Sequence, residues 1–475
     1  MAYPSSQSHV KPRRLSMSKP AMPFSKSQYI IFFPLSFILI ISLFMFNASN
    51  DELNLSVAQK PKHDSCEGRR IFIYQLPTEF NDRIALDCQN YTFRDWSMCD
   101  DVRNDGLGNL MNLDAASDPA APLLQPSSAW YKTDQFSLEV IFHRRLLTHT
   151  CRTEDPAQAS MFYLPFYHTL DVSRNLFNPD LTVRDHLTNR FVSWLRQQEP
   201  WQLHHGHRHV LTLGRIIWDF YRHPEYEPWG SSLLRQPELG NVTTLLIERC
   251  TYGMSVCDNA VAIPYPTNFH PASDAALRSW QTAVRNVKRT RFITFAGSAR
   301  SGALHNMTGT VRGELFTQCA ESPKCKHLLC TQELCADNVQ TLYKLYSESV
   351  FCLQPAGDSP TRKGIFDTLL SGCIPVVFAR NQTVEQYLWH LPGNGSNYSV
   401  QLDGEAVAFD HYDVMGHLER IPKEEVERLQ ESIVQLIPRL LIRNHKLEAE
   451  YTSKDAIDVA IESLFEWFER GDPQK

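Results

Sequence analysis

The stretch from Ser349 to Phe378 constrains this chain more than any other. Ser349-Val-Phe-Cys-Leu has the apolar character of a buried strand. Gln354-Pro-Ala-Gly-Asp-Ser-Pro-Thr-Arg-Lys is a turn-rich loop, Gly364 to Leu370 reads as a helix, and Ser371-Gly turns the chain into a second strand, Cys373-Ile-Pro-Val-Val-Phe. Such a strand–loop–helix–strand unit belongs to α/β layer structures. The rest of the chain repeats the alternation. Arg70-Ile-Phe-Ile-Tyr-Gln-Leu, Met161-Phe-Tyr-Leu, His209-Val-Leu-Thr-Leu and Arg291-Phe-Ile-Thr-Phe-Ala-Gly read as strands. Gln135 to Leu147 has helical apolar spacing at Phe136, Val140 and Leu146, and residues 100–128 read as a long loop. Two amphipathic helices close the chain. One carries Val426, Leu429, Ile433 and Leu436 on one face, and the other opens at Thr452 or Ser453 and carries Ala456, Val459, Leu464 and Phe468.

A chain of 475 residues is long enough for two domains of roughly 150–200 residues each. The first 28 residues hold Lys11, Arg13, Arg14, Lys19 and Lys26 and no acidic residue. Tyr29 to Phe46 is then an uncharged apolar run of 18 residues, enough to cross a hydrocarbon core of about 30 Å. Basic residues before a span hold the N-terminus in the cytosol and send the rest into the lumen. A cleaved signal peptide is the rival reading, but its apolar region is usually only about 7–15 residues. All 12 cysteines, Cys66 to Cys373, follow the span, as do eight N-x-S/T sequons at Asn47, Asn54, Asn90, Asn241, Asn306, Asn381, Asn394 and Asn397. Cys319, Cys325, Cys330 and Cys335 lack paired zinc-ligand spacing, so disulfides suit an oxidising lumen better. The expected organisation is a cytosolic tail (1–28), a signal-anchor helix (29–46), a stem (47–67) and two α/β domains (68–285 and 286–475).

The net charge of -6 provides no basic field for nucleic acid. The loop before the Gly364 helix suits a nucleoside diphosphate. A helix N-terminus carries free N–H groups and partial positive charge. Gly357 allows close backbone approach, Ser359 and Thr361 are hydroxyl donors, Arg362 can fork onto two phosphate oxygens, and Asp367 can accept from ribose hydroxyls. An ordinary loop with a surface arginine is the bland alternative. No two aspartates are separated by exactly one residue, so the Asp-x-Asp metal and diphosphate ligand is missing. Arg, hydroxyls and helix dipole must then neutralise the leaving group, and no metal or other cofactor is expected. Trp130-Tyr131, Tyr163, Phe166-Tyr167, Trp218 and Trp389 are candidates to stack on sugar rings in an acceptor groove, although core packing is the commoner fate of any one of them.

Ser349-Val-Phe-Cys-Leu-Gln-Pro-Ala-Gly-Asp-Ser-Pro-Thr-Arg, Phe366-Asp and Ser371-Gly-Cys-Ile-Pro-Val together resemble the donor-binding signature of exostosin-type glycosyltransferases, family 47. Trp130-Tyr-Lys-Thr-Asp-Gln-Phe, Leu164-Pro-Phe-Tyr, Gly214-Arg-Ile-Ile-Trp-Asp-Phe, Ile263-Pro-Tyr-Pro-Thr-Asn-Phe-His-Pro, Trp389-His-Leu-Pro and Leu436-Ile-Pro-Arg-Leu resemble its plant xyloglucan galactosyltransferase subgroup. The likeness spans roughly residues 68–465. It implies a GT-B fold of two Rossmann-like domains facing a cleft, a UDP-sugar donor, inversion at the anomeric carbon, a hemicellulose acceptor and a Golgi location, with membrane attachment through the anchor and room for Golgi glycosyltransferase complexes. The implied donor-binding set is Arg215, Gly297, Gln354, Gly357, Asp358, Ser359, Thr361, Arg362 and Asp367. The donor loop carries Ala356, Pro360 and Lys363, of which Ala356 and Pro360 depart from the galactosyltransferase pattern. The subgroup likeness makes galactose the first choice of donor sugar, and the departure in the loop keeps arabinose, galacturonic acid and xylose as alternatives.

Inversion needs a base beside the acceptor hydroxyl. Asp219, His168 and Asp134, each next to an aromatic-rich stretch, are the candidates, Asp219 first. A non-catalytic Golgi scaffold or a secreted carbohydrate-binding protein are rival readings of the same fold. The orientation is directly testable. Protease added to intact microsomes should leave residues 47–475 whole until detergent is added, and cleavage of the C-terminal part without detergent would reverse the topology.

Overall fold

The computed structural model describes residues 66–475 apart from 91, 94–95, 114–119, 121, 223–228, 251–254, 299–306, 332–334, 336–337, 358, 446–450 and 471–475. The expected tail, anchor and most of the stem lie outside these residues, and so does Asp358. Residues 63–475 form one compact unit. Among the described residues, no helix is long and apolar enough to cross a membrane.

The unit contains two parallel sheets. The first has strands β1 (Ile71–Ile73), β2 (Arg152–Thr153), β3 (Met161–Leu164), β4 (His209–Ile216), β5 (Thr243–Glu248) and β6 (Ala260–Ala262) in the order β2-β1-β3-β4-β5-β6. The second has β7 (Arg291–Gly297), β8 (Cys325–Leu329), β9 (Ser349–Leu353), β10 (Ile374–Val377) and β11 (Val400–Gln401) in the order β8-β7-β9-β10-β11. β3, β5 and β10 are buried along their whole length, which explains their continuous apolar runs: parallel strands are covered on both faces. Two parallel-sheet α/β halves are consistent with the GT-B-like arrangement that the resemblance implies.

The principal helices are α1 (Leu138–Leu147), α2 (His168–Asn175), α3 (Asp274–Asn286), α4 (Met307–Glu321), α5 (Val339–Ser347), α6 (Lys363–Leu370), α7 (Lys423–Leu436) and α8 (Ala456–Arg470). Two helix starts differ from the sequence expectation. α1 begins at Leu138 because Asp134 Oδ1 takes the Phe136 N–H at 2.7 Å and holds the preceding residues in a turn. α8 begins at Ala456 because the Asp455 carboxylate accepts from the N–H groups of Ile457 and Asp458, at 3.0 and 2.9 Å. Thr452, expected to open that helix, instead donates its hydroxyl to Asp274 at 2.5 Å.

The halves are packed together by an aromatic cluster. The fully buried Trp130 ring lies 5.0 Å from Phe269, 4.9 Å from Trp280 and 4.9 Å from Tyr343. Trp280 Nε1 donates to the Leu370 carbonyl at 3.0 Å, at the end of the central helix of the second half. α8 crosses back to the first half, where Arg145 pairs with Asp458 at 2.6 Å. Trp130, Tyr163, Phe166 and Tyr167 are at most 1% exposed and belong to the core, not to a groove.

The twelve cysteines form six disulfides: 66–151, 88–99, 250–257, 319–325, 330–335 and 352–373. Cys319, Cys325, Cys330 and Cys335 thus make two short-range links. Cys352–Cys373 ties β9 to the residue before β10 across a separation of 21, and both sulfurs are buried. The loop-closure entropy of such a link is worth about 3 kcal/mol. Replacing both cysteines by alanine should lower the unfolding free energy by about that amount, read as an earlier urea midpoint; an unchanged midpoint would show that the packing of α6 alone holds this unit.

Candidate active site

In open parallel sheets, ligands bind beyond the carboxyl ends of the strands. Here the carboxyl ends of β4, β5 and β9 meet. β4 runs into Arg215, Trp218 and Asp219, β5 ends at Glu248, and β9 runs into the loop ending at Arg362. A cavity of about 570 Å³ between them is lined by Arg215 and Asp219 from the first half and by Ser359, Thr361 and Arg362 from the second. A neighbouring cavity of about 410 Å³ shares Gln135 with it and is lined by Asp134, Asn268, Lys363 and Asp367.

The loop before α6 is built for close approach. Arg362 occupies the position before the first turn and supplies no side-chain acceptor to it, so the dipole end of α6 faces the cavity uncapped by that residue. A Cβ on Gly357 would lie 1.8 Å from Arg362 Nη2, so only glycine leaves room for the guanidinium. A Cβ on Gly364 would likewise lie 2.6 Å from Gln354 Oε1. The buried Arg312 props the loop from behind, donating to the carbonyls of Pro355 and Ala356 at 3.2 and 3.0 Å.

Gly297 and Gln354 take places different from those the sequence suggested. Gly297, at the end of β7, lies beneath the loop, where a Cβ would meet Arg312 Nη1 at 2.9 Å. Gln354 is 3% exposed, and its main chain bonds to Val376 and to the Gln382 side chain. Both shape the root of the loop, and neither lines the two cavities.

The two loop hydroxyls are engaged within the protein. Ser359 Oγ donates to Glu248 Oε2 at 2.7 Å, and the Thr361 N–H reaches the same oxygen at 3.3 Å. Tyr387 donates its hydroxyl to the Ile247 carbonyl at 2.8 Å, so Thr361 Oγ1 donates to Tyr387 at 3.2 Å. Gln386 exchanges two bonds of 2.9 Å with the main chain of Arg249. Asp367 is held by Lys363 Nζ at 2.8 and 2.9 Å and by the Tyr343 hydroxyl at 2.7 Å, while Lys363 also donates to Asn268 at 2.7 Å.

The base candidates separate clearly. Asp219 lines the larger cavity, its Oδ2 accepting from Arg215 Nε at 2.5 Å. Arg215 is further oriented by Ser173 Oγ at 3.2 Å and by stacking 4.2 Å over the Phe136 ring. Asp134 sits half-buried in the smaller cavity. Enclosure by protein raises its pKa against the Phe136 N–H and the charges of Arg215 and Lys363. His168 is a correction. Its ring is fully buried between Phe166 and Phe220, and its Nε2 bonds to Ser231 at 2.7 Å. Burial pushes its pKa down to about 3, so it is a neutral core histidine with no reach to an acceptor.

Glu248 was missed in the sequence. Its signal is a carboxylate closing the apolar run Leu245-Leu-Ile, at the strand end where α/β sheets bind ligands. Burial pushes its pKa up to about 8, against the hydrogen bonds from Ser359 and Thr361 and the charge of Arg362.

A two-sheet α/β chain with an arginine-flanked helix N-terminus in its cleft has the architecture of a nucleotide-sugar-dependent glycosyltransferase. Residues 65–412 match the exostosin GT47 domain, and the chain belongs to that family of glycosyltransferases. It is 37% identical over 419 residues to the probable xyloglucan galactosyltransferase GT12 of Arabidopsis thaliana, covering 88% of this chain and 80% of that protein. It is 39% identical over 408 residues to the xyloglucan galactosyltransferase XLT2 of the same plant, covering 85% and 76%. It is also 39% identical over 410 residues to its xyloglucan-specific galacturonosyltransferase 1, covering 86% of this chain and 58% of that protein.

The Glu248 environment generates a pH prediction. Below the ordinary carboxyl pKa the residue is protonated whether folded or not. As pH rises toward about 8 the folded state keeps a proton that the unfolded state releases, so this contribution to stability is lost at about 1.4 kcal/mol per unit. Glu248→Gln cannot ionise and keeps an acceptor for Ser359 and Thr361. The melting temperature of Glu248→Gln minus that of the wild type should climb between pH 5 and 8 and then level off; a pH-independent difference would contradict the assigned burial.

Proposed function

We propose that this chain is an inverting, UDP-sugar-dependent glycosyltransferase of the Golgi, anchored as a type II membrane protein, that adds galactose to xylosyl side chains of xyloglucan or a related hemicellulose. The observation that carries the reading is Arg362, packed on Gly357 at the open N-terminus of α6 and facing Arg215 across the cavity. Two guanidinium groups and a helix dipole in one sheltered cleft suit a leaving diphosphate. In this reading the donor loop belongs to the wall of the second half and the acceptor side to the wall of the first, as a GT-B-like arrangement suits. The names of the relatives support xyloglucan as acceptor. Galacturonic acid is the second reading of the donor sugar, favoured by the equal identity to a galacturonosyltransferase.

In this reading an acceptor hydroxyl attacks the anomeric carbon as UDP departs from the opposite face. Asp219 is the first choice of base, since it alone of the three candidates shares the cavity with both arginines and Arg215 fixes its orientation. Arg362 and Arg215 stabilise the charge growing on the diphosphate. Asp367 accepts from ribose hydroxyls once Lys363 and Tyr343 yield some of their bonds to it. The missing Asp-x-Asp pair supports catalysis without a bound metal.

The test offers the purified protein a panel of UDP-sugars and xyloglucan oligosaccharides, with and without excess EDTA. Transfer of galactose that persists in EDTA is the expected result; activity lost in EDTA and restored by Mn²⁺ would overturn the metal-free site, and transfer of no sugar would favour a scaffold. Arg362→Ala should keep its melting temperature and lose roughly 10²–10³ in rate, or about 3–4 kcal/mol, by analogy with donors to a developing oxyanion. Arg362→Lys should also be poor, because a point charge lacks the fork. Near-normal turnover in Arg362→Ala would move the diphosphate elsewhere.

A further inference from the structure

The two cavities differ in one respect that charge does not explain. The larger carries a rim of aromatic rings, whereas the described lining of the smaller includes none. Three rings of that rim come from three separate segments: Phe177 just after α2, Trp218 in the turn Ile217–Asp219 after β4, and Trp229 in the loop that follows.

Those segments are bolted together at the main chain, each bond lying within two residues of the rings it joins. The Gly230 N–H donates to the Leu176 carbonyl at 2.8 Å, which joins the Trp229 and Phe177 segments. The Ser231 N–H donates to the Asp219 carbonyl at 2.9 Å, which joins the Trp229 and Trp218 segments. Gly230 has a φ of +77°, and a Cβ there would lie 2.6 Å from the Asp219 carbonyl oxygen, so glycine is required for this approach. Arg222 closes the knot from behind, donating to the Gly230 carbonyl at 2.7 Å. The three rings are therefore held in register with one another and with the Asp219 carboxylate.

The rings keep part of their surface exposed, Trp218 and Trp229 while packing against the core of the first half. Phe177 is 55% exposed, and no other strongly exposed large apolar side chain among the described residues lines this cavity. Trp218 and Trp229 are half-buried. Phe136 lies in the same cavity but has another use, since its ring carries the Arg215 guanidinium. An apolar surface kept at the rim of a polar cleft marks a binding site.

We infer that Phe177, Trp218 and Trp229 form the platform on which the sugar chain of the acceptor lies. Pyranose rings present apolar C–H faces and hydroxyl edges. The aromatic rings take the faces, and Asp219 with Arg215 meets the hydroxyl edge that points into the cleft. The ligand class is a neutral oligosaccharide several residues long, because a single sugar cannot cover three rings from three segments. The inference rests on the reading of this cleft as the transfer site, and the three rings belong to the first half, whereas Ser359, Thr361 and Arg362 line the same cavity from the second.

The test separates platform from transferase. Xyloglucan oligosaccharides are titrated into the protein without donor, and tryptophan fluorescence is followed. A saturable change is expected in the wild type, at least tenfold weaker in Phe177→Ala and Trp229→Ala, whose melting temperatures stay within a few degrees. In turnover, the same variants should raise the oligosaccharide KM at least tenfold and leave the UDP-sugar KM unmoved. Phe177→Tyr should restore binding and Phe177→Leu should not, since stacking needs a flat ring. Absence of a saturable change in the wild type, an oligosaccharide KM within twofold of wild type, or a parallel rise in the donor KM would each overturn the platform. Saturable binding that these variants weaken, in a protein that turns over no UDP-sugar, would support the platform and sink the transferase reading instead.

Discussion

Three consecutive residues at the carboxyl end of β5 grip the second half of the molecule. The Ile247 carbonyl receives the Tyr387 hydroxyl, the Glu248 carboxyl receives Ser359 and Thr361, and the Arg249 main chain exchanges two bonds with Gln386. The groups involved are buried or half-buried, and an unmatched buried group would cost about 1–3 kcal/mol. The donor loop cannot shift relative to β5 without breaking several of these bonds together. The distance between the arginines of the two walls is a consequence of that grip, and so is the shape of the larger cavity.

The charged groups of the cleft are mostly matched inside the protein. Arg215 faces Asp219, and Lys363 faces Asp367. Pairs of this kind are weak evidence for stability, because desolvation offsets most of the attraction. Their worth lies in orientation. Arg215 is pinned by a carboxylate, a hydroxyl and an aromatic face, so its remaining donors point in fixed directions. A diphosphate entering such a site meets cations already ordered, which lowers the entropy lost on binding.

Much of the architecture was legible in the chain itself. Ser349 to Phe378 forms the strand, loop, helix and strand that its apolar spacing and its glycines announce, and α6 starts within one residue of the expected place. The apolar runs of β3 and β4 suit strands covered on both faces of a parallel sheet. The turn before α6 was legible too, because Gly357 and Arg362 stand at a helix start, where spacing along the chain sets the local geometry. Helix ends were less so. Asp455 and not Thr452 opens α8, since the Thr452 hydroxyl finds Asp274, 178 residues away in sequence.

What local chemistry cannot decide is the face on which a side chain emerges and which distant group meets it. His168 and Asp219 follow similar aromatic stretches, yet one is sealed between two phenylalanines and the other opens to the cleft. Ser359 and Thr361 have the hydroxyls of phosphate donors, but in the fold these are engaged by Glu248, 111 residues before Ser359, and by Tyr387, 26 residues after Thr361. By itself the sequence determined the α/β class, the two-half organisation and the position of the glycine-rich turn before α6, because periodicity, glycine spacing and helix polarity act over a few residues. Only the tertiary structure decided which carboxylates reach the cleft, which aromatic rings stay at its rim and which residues hold the donor loop. Those choices depend on contacts between segments far outside one another's local window, such as His168 with Ser231 and Ser359 with Glu248, and no local pattern encodes them.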